Sequence, residues 1–257
     1  MILALDVGNS NIVIGCVDEN NIHFISRLTT DSGKTADEYA ISFKNIMELY
    51  HVDLAEVDGA IISSVVPPLN SILKEAVTRA TGYTPLVVGP GVKTGLNILI
   101  DNPGQLGSDL VVDAVAAIAL YPQPTVVFDL GTATTASVID KDGNYRGGLI
   151  MPGVRISLDA LSGRTAQLPR ISLDPPKKVI GLNTVDCMRS GVLNGAAAMV
   201  DGLIERIEEE LGSKVTVVAT GGLAKFIAPL CKREVICDDD LLLKGLWIIY
   251  QKNKRKK

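Results

Sequence analysis

Ile2-Leu3-Ala4-Leu5-Asp6-Val7-Gly8-Asn9-Ser10-Asn11 and Thr125-Val126-Val127-Phe128-Asp129-Leu130-Gly131-Thr132-Ala133-Thr134-Thr135 are two copies of one pattern. Each is an apolar run, as a buried strand would be, that breaks at Asp-x-Gly into small polar residues. Asp6 and Asp129 stand 123 residues apart, as do Gly8 and Gly131. The segments after the turns are repeated too. Ile12 to Val17 reads as a second strand, Asp18-Glu19-Asn20-Asn21 as a hairpin turn and Ile22 to Leu28 as a third strand. In the second copy the same roles fall to Ala136-Ser137-Val138-Ile139, Asp140-Lys141-Asp142-Gly143-Asn144 and Tyr145 to Ile150. Self-similarity at so long a period indicates two homologous domains rather than a solenoid. The expected boundary lies near Ala117, inside a helix, giving domains 1–117 and 118–257.

Around the repeats, helical and strand patterns alternate. Tyr39, Phe43, Ile46 and Tyr50 recur at three or four residues and predict a helix from Thr35 to Tyr50. Gly59 to Ser63 and Leu86-Val87-Val88 read as strands, with a helix from Pro67 or Pro68 to about Ala80 between them. A Gly-, Asn- and Pro-rich loop spans Gly89 to Gly107. Ser108 is a candidate cap for a helix from Asp109 to about Tyr121. Helices near Val154–Ser162 and Val185–Leu211, a strand at Val215–Ala219, a short strand near Val235 and a closing helix from Asp239 complete the chain. Antiparallel triplets joined to βα units predict α/β mixed sheets with helices on both faces.

Composition narrows the class. In 257 residues, 47% are hydrophobic and 21% charged, enough for a full core. The net charge is -4, but Lys252 to Lys257 holds five of the 25 basic residues, so the rest of the chain carries -9. An acidic body argues against a nucleic-acid surface, and the basic tail reads as a solvated, frayed terminus. Cys16, Cys187, Cys231 and Cys237 form no C-x-x-C motif and are expected to be reduced and mostly packed. Met1 runs straight into an apolar strand and no stretch reaches ~18 apolar residues. The expectation is a cytoplasmic protein without a membrane partner.

The two Asp-x-Gly turns suggest phosphate chemistry. Gly lets the chain turn sharply and lets backbone N–H groups approach an anion. Asn9, Ser10 and Asn11 in one copy, and Thr132, Thr134 and Thr135 in the other, add donors. The Asp residues repel bare phosphate and make sense with a cation, or cation-bound water, between them and it. Two such turns facing across a cleft would hold a triphosphate from both sides. Thr220-Gly221-Gly222 ends a third apolar strand in the same manner.

In order and spacing, the chain resembles type III pantothenate kinase, a family of the acetate and sugar kinase/heat-shock chaperone/actin superfamily. The resemblance rests on Asp6 to Asn11, Ser63-Ser64-Val65-Val66-Pro67, Gly89 to Gly95, Asp101-Asn102-Pro103, Gly107-Ser108-Asp109 and Asp129 to Thr135. It continues through Gly147-Gly148-x-Ile150-x-Pro152-Gly153, Leu168-Pro169, Asn183-Thr184 and Thr220-Gly221-Gly222. It implies two duplicated ribonuclease H-like (actin-like ATPase) domains with a cleft between them. It also implies transfer of the γ-phosphate of ATP to the primary hydroxyl of pantothenate, the first step of coenzyme A biosynthesis, by a homodimer. Carried over residue by residue, Asp6, Val7, Gly8, Asn9, Ser10, Asn11, Ile12, Val13, Thr132, Gly221 and Gly222 would meet ATP. Asp6 would hold Mg²⁺ through water, and Asp129 a monovalent cation, K⁺ or NH₄⁺. Ile100, Gly107, Ser108, Asp109, Leu110 and Thr184 would meet the acceptor, Thr184 from the other subunit. Asp109 would be the general base, a role suited to a positioned carboxylate.

Two positions depart from the family pattern. Gly-x-Asp-Arg reads Gly107-Ser108-Asp109-Leu110, and the Tyr before Asp-Asn-Pro is Ile100. An Arg beside the base suits a carboxylate-bearing acceptor, and Leu110 lacks that fork. The alternatives are a kinase for a related small hydroxyl acceptor, and a non-catalytic ATP-binding transcriptional accessory factor. Gly89 to Gly95 does not match phosphate-loop spacing. His23 and His51 read as structural, and Asp238-Asp239-Asp240 as a helix N-terminus.

Overall fold

The computed structural model describes residues 1–254; Arg255, Lys256 and Lys257 of the basic tail lie outside the described residues. The strands are β1 Ile2–Val7, β2 Asn11–Val17, β3 Ile22–Thr29, β4 Ala60–Ser64, β5 Leu86–Val87, β6 Asn97–Ile98, β7 Thr125–Leu130, β8 Ala133–Ile139, β9 Asn144–Pro152, β10 Thr216–Thr220 and β11 Ile236–Cys237. The α-helices are α1 Ala36–Leu49, α2 Asn70–Thr81, α3 Ser108–Leu120, α4 Val154–Arg164, α5 Thr184–Leu211, α6 Ala224–Ile227 and α7 Leu241–Asn253. The chain forms two compact units. The first comprises Met1–Leu96, Asn102–Ala116 and the chain from Leu241; the second comprises Asn97–Asp101 and Ala117–Asp240.

The duplication is visible in strand order. One sheet runs β3-β2-β1-β4-β5, and the other β11-β10-β7-β8-β9-β6, so reading outward from β1 and β7 gives the same five-strand arrangement, with β6 added beyond β9 in the second. β1 is antiparallel to β2 and parallel to β4; β7 is antiparallel to β8 and parallel to β10. Even the burial along β1 and β7 is identical, with only Asp6 and Asp129 partly open.

In the first unit β1 is covered on both faces, as its unbroken apolar run requires. Leu3, Leu5 and Val7 pack with Tyr39, Phe43 and Met47 of α1 and Leu73 and Val77 of α2. Ile2 and Ala4 face the other way, onto Ile61, Val112 and Val115, and Leu243, Leu246 and Ile249 of α7. α1 opens with a full capping box: Thr35 Oγ1 accepts the Glu38 N–H, and the Glu38 carboxylate accepts the Thr35 N–H. In the second unit Val126, Phe128 and Leu130 of β7 pack on Leu193, Ala197, Val200 and Ile204 of α5.

Several expectations are corrected. The units part at Ala116/Ala117 within α3, but the closing helix, expected in the domain 118–257, packs in the first unit. Its fully buried Leu and Ile side chains each contribute about 1.5–3 kcal/mol by covering the open face of β1 and β4. The start of the basic tail is docked rather than frayed: Lys252 Nζ donates to Thr94 O (2.7 Å), Asn253 Nδ2 to Lys93 O (2.9 Å), and Lys254 Nζ to Asp58 Oδ2 (3.1 Å). Of the four thiols only Cys16 is buried, while Cys187 and Cys237 are exposed. The loop after Gly89 contains β6, which pairs parallel with β9. Among the described residues no helix is long and apolar enough to cross a membrane.

Candidate active site

In the first unit, Asp6 lies at the C-terminal end of β1, where ligands of parallel strands gather. The chain then turns through Gly8-Asn9-Ser10, closed by Gly8 N–H donating to Asn11 O (3.0 Å). Thr30 holds the turn from the side: its hydroxyl donates to Gly8 O (2.6 Å) and its N–H to Ser10 O (3.1 Å). Asn9, Ser10 and Asn11 are exposed, whereas Val7 and Ile12 are fully buried in the core. Of the sequence-derived ATP residues, Val7 and Ile12 therefore have only main-chain groups to offer, because the period of two along β1 and β2 turns their side chains inward.

Asp6 is in register with Ser63 on β4, and Val7 with Ser64. This brings α3 to the same strand ends. Ser63 Oγ and Ser108 Oγ are 3.0 Å apart, Ser64 N–H donates to Ser108 Oγ (3.0 Å), and that hydroxyl donates to Ser64 O (3.0 Å). Ser108 is thus the first residue of α3 and clamps it to β4. The capping place falls to Gly107, whose carbonyl accepts the Val111 N–H (3.1 Å). A Cβ at 107 would collide with Asp109 Oδ1, so a larger residue there would displace that carboxylate. The Asp109 carboxylate folds back over Gly107 and accepts the Leu110 N–H (2.8 Å). Burial pushes its carboxyl above the usual carboxylate range, opposed by the N–H groups of Leu110 and of Asp109 itself. A half-buried carboxylate with raised basicity at a helix N-terminus is equipped to accept a proton. Leu110 is half-buried beside it.

In the second unit the Asp129 turn is tighter, a two-residue connection at Gly131-Thr132 between β7 and β8. Two other glycine turns close on it. A Cβ at Gly221 would collide with Asp129 Oδ1 and lie 2.8 Å from Leu130 N, and a Cβ at Gly153 would lie 2.8 Å from Gly131 O. Leu223 N–H donates to Leu130 O (3.1 Å), fixing the 220–222 turn to β7. Gly221 has φ +88°, which glycine adopts without strain. Thr132 and Gly222 are exposed. Thr135, opposite Asp129 on β8, has a buried Oγ1 with no hydrogen-bond partner.

The remaining predicted acceptor residues also belong to the second unit. Ile100 follows β6, where Leu99 N–H donates to Tyr145 O (2.8 Å), and it lies near Gly147. Thr184 is the exposed first residue of α5, whose cap is Asn183, accepting the Asp186 N–H (2.9 Å). The role of Thr30 has no signal in the sequence, and Ser63 stands there only within a family block; the contacts of Thr30 with the Gly8–Ser10 turn and of Ser63 with Ser108 show what each does. Asp238 is buried, accepting the Tyr121 hydroxyl (2.7 Å) and the Asp240 N–H (3.1 Å) just before α7.

Known proteins resemble this chain along nearly its whole length. The sequence profile of the type III pantothenate kinase family matches residues 2–206. The type III pantothenate kinase of Moorella thermoacetica is 45% identical over 257 residues, covering 98% of this chain and all of that one. The Exiguobacterium protein of the same name is 46% identical over 255 residues, covering 99% of this chain and all of that one. Among solved structures, the activator of 2-hydroxyisocaproyl-CoA dehydratase from Clostridium difficile with bound ADPNP shares the fold. It has a TM-score of 0.59 at 13% identity, covering 100% of this chain and 98% of that one. By full-length similarity to its curated relatives, the chain belongs to the type III pantothenate kinase family.

Proposed function

We propose that this protein transfers the γ-phosphoryl group of ATP to the primary hydroxyl of pantothenate, the entry step of coenzyme A synthesis. Full-length family membership supports the reaction, and the Asp109 arrangement is the structural observation that carries it. A binding-only protein has no use for a half-buried carboxylate of raised basicity whose helix is clamped through Ser108 to β4, at the residues in register with Asp6 and Val7 of β1.

The roles come from what each group can do. As the acceptor oxygen bonds to the γ-phosphorus and the bond to the β-phosphate oxygen breaks, Asp109 takes the hydroxyl proton and ADP leaves. Phosphoryl transfer otherwise depends on alignment and charge neutralisation. The main-chain N–H groups of the 6–13 turn, the side chains of Asn9, Ser10 and Asn11, and Thr132 are the donors offered to phosphate oxygens. Gly221 and Gly222 keep the 220–222 turn free of side chains where the nucleotide lies. Mg²⁺ held through water by Asp6 would neutralise phosphate charge; the hard oxygen donors of this turn suit it. Asp129 would take K⁺ or NH₄⁺. Its carboxylate, crowded by glycine turns and facing an orphaned hydroxyl, suits a singly charged ion.

The working form is a homodimer in the cytoplasm, with Thr184 reaching the acceptor held by the other subunit. Large apolar side chains at Val179, Ile180 and Leu182, immediately before Thr184, are exposed in the single chain and favour such a partner.

One observation favours a variant reading of the acceptor. Leu110 and Ile100 remove an Arg and a Tyr from the acceptor side while the phosphate turns are intact. Steady-state kinetics with pantothenate and a panel of related hydroxy acids, in wild type and Asp109→Asn, tests both. Phosphorylation of pantothenate that is lost in Asp109→Asn with ATP binding retained is expected. Absence of turnover with every acceptor would refute the enzyme reading.

A further inference from the structure

We propose that Thr135 is a second protein ligand of the monovalent-cation site, supplying its hydroxyl oxygen beside the Asp129 carboxylate. The inference rests on the assignment of that ion to Asp129 above and extends it to a residue outside the family motif roles.

Three observations carry it. Asp129 and Thr135 are direct partners across the β7–β8 ladder, so both side chains rise from one face of the sheet at neighbouring positions. Thr135 Oγ1 is buried and has no hydrogen-bond partner, a state that buried hydroxyls in native proteins rarely keep without a ligand. The fold itself does not ask for a hydroxyl there. In the duplicated first unit the residue opposite Asp6 is Val13, on the equivalent strand at the equivalent place. The two copies thus differ in kind: a carboxylate facing an apolar side chain at Asp6, and a carboxylate facing a neutral oxygen at Asp129.

That difference matches the two cations. A hydrated divalent ion needs only a carboxylate acting through its water shell. A large monovalent ion gives up water when several neutral oxygens replace it, as rings of carbonyl oxygens do in potassium-selective sites. One negative charge beside a hydroxyl, with the main chain brought close by Gly131 and Gly221, balances one positive charge.

The experiment compares wild type, Thr135→Val, Thr135→Ala, Thr135→Ser and Asp129→Asn. Melting temperature and kinase activity are measured in potassium chloride and in choline chloride of equal concentration. Wild type is expected to melt a few degrees higher in potassium, because an ion that binds the folded state stabilises it. Thr135→Val is expected to melt in choline at or above wild type, having lost an unsatisfied hydroxyl. It should lose the potassium increment and require ~10-fold more potassium for half-activation, about the 1.4 kcal/mol of a tenfold change. Thr135→Ser should keep both responses, and Thr135→Ala should repeat the loss should the valine disturb packing. A wild type with no potassium response overturns the Asp129 assignment and the proposal with it. A wild-type response abolished in Asp129→Asn but intact in Thr135→Val and Thr135→Ala overturns the proposal alone.

Discussion

Gly221→Ala isolates the contact between the 220–222 turn and the Asp129 loop. Two costs can be read from the structure. Gly221 has φ +88°, and holding an L-residue in such a conformation costs roughly 1–3 kcal/mol. The added Cβ would lie 2.8 Å from Leu130 N and from Leu130 C, main-chain atoms that cannot rotate away, and would strike Asp129 Oδ1. Relieving that overlap requires a shift of several tenths of an ångström, and overpacking of this kind costs about 1–3 kcal/mol. Together they predict a loss of about 2–6 kcal/mol. At 2–4 °C per kcal/mol for a chain of this size, melting should fall by roughly 10 °C. The control is the next residue. Gly222 has ordinary φ, and a Cβ there meets nothing within 4 Å, so Gly222→Ala should stay within about 0.5 kcal/mol of wild type. Both variants are compared by thermal melting and by the potassium dependence of activity, since only Gly221→Ala displaces Asp129. Equal melting temperatures for the two variants would refute the reasoning.

Asp109→Asn should lower kcat by ~10²–10⁴-fold with ATP affinity unchanged, measured by coupled kinase assay and nucleotide titration. It should also melt higher than wild type at neutral pH. Burial raises the folded-state pKa of Asp109, so its stabilising contribution is present below the ordinary carboxylate range and is lost as pH rises through the raised value. Leu110→Arg, restoring the family's cation, should lower the KM for pantothenate ~10-fold with little change in the KM for ATP; an unchanged pantothenate KM would show that the acceptor carboxylate is bound elsewhere. Glu208 is a buried carboxylate gripped by Arg233 (2.5 and 2.9 Å) and Lys214 (2.7 Å), which hold its pKa down to about 2, the Arg233 hydrogen bond foremost. Its contribution is present above the ordinary Glu range and is lost as pH falls through about 2. Arg233→Gln should cost about 1–3 kcal/mol at pH 7, with the gap to wild type narrowing below about pH 4 in acid melts.

Much of the site was legible because it is local. Asp-x-Gly after an apolar run announces a strand, a sharp turn and a polar end within ten residues, and the second copy removes most of the ambiguity. Asp109 at the start of a helix was equally visible. Its contacts were not: Ser108 has the look of a cap because Ser often caps, yet its hydroxyl is taken by Ser63 and Ser64, 45 and 44 residues earlier. The inward turn of Val7 and Ile12 is a consequence of strand alternation, but a motif carried over as a block of residues conceals it.

The sequence by itself determined the repeated strand-turn-strand units, the order of helices and strands, and the chemistry offered at each turn. These depend on backbone preferences and apolar periodicity within a few residues. Only the tertiary structure decided that α7 covers the sheet of the first unit, that Gly107 rather than Ser108 caps α3, and that Thr135 keeps an orphaned hydroxyl opposite Asp129. Each of these is settled by burial and hydrogen bonding between residues far apart in the chain. Local pattern sets which groups must be buried or paired, and long-range packing sets with what.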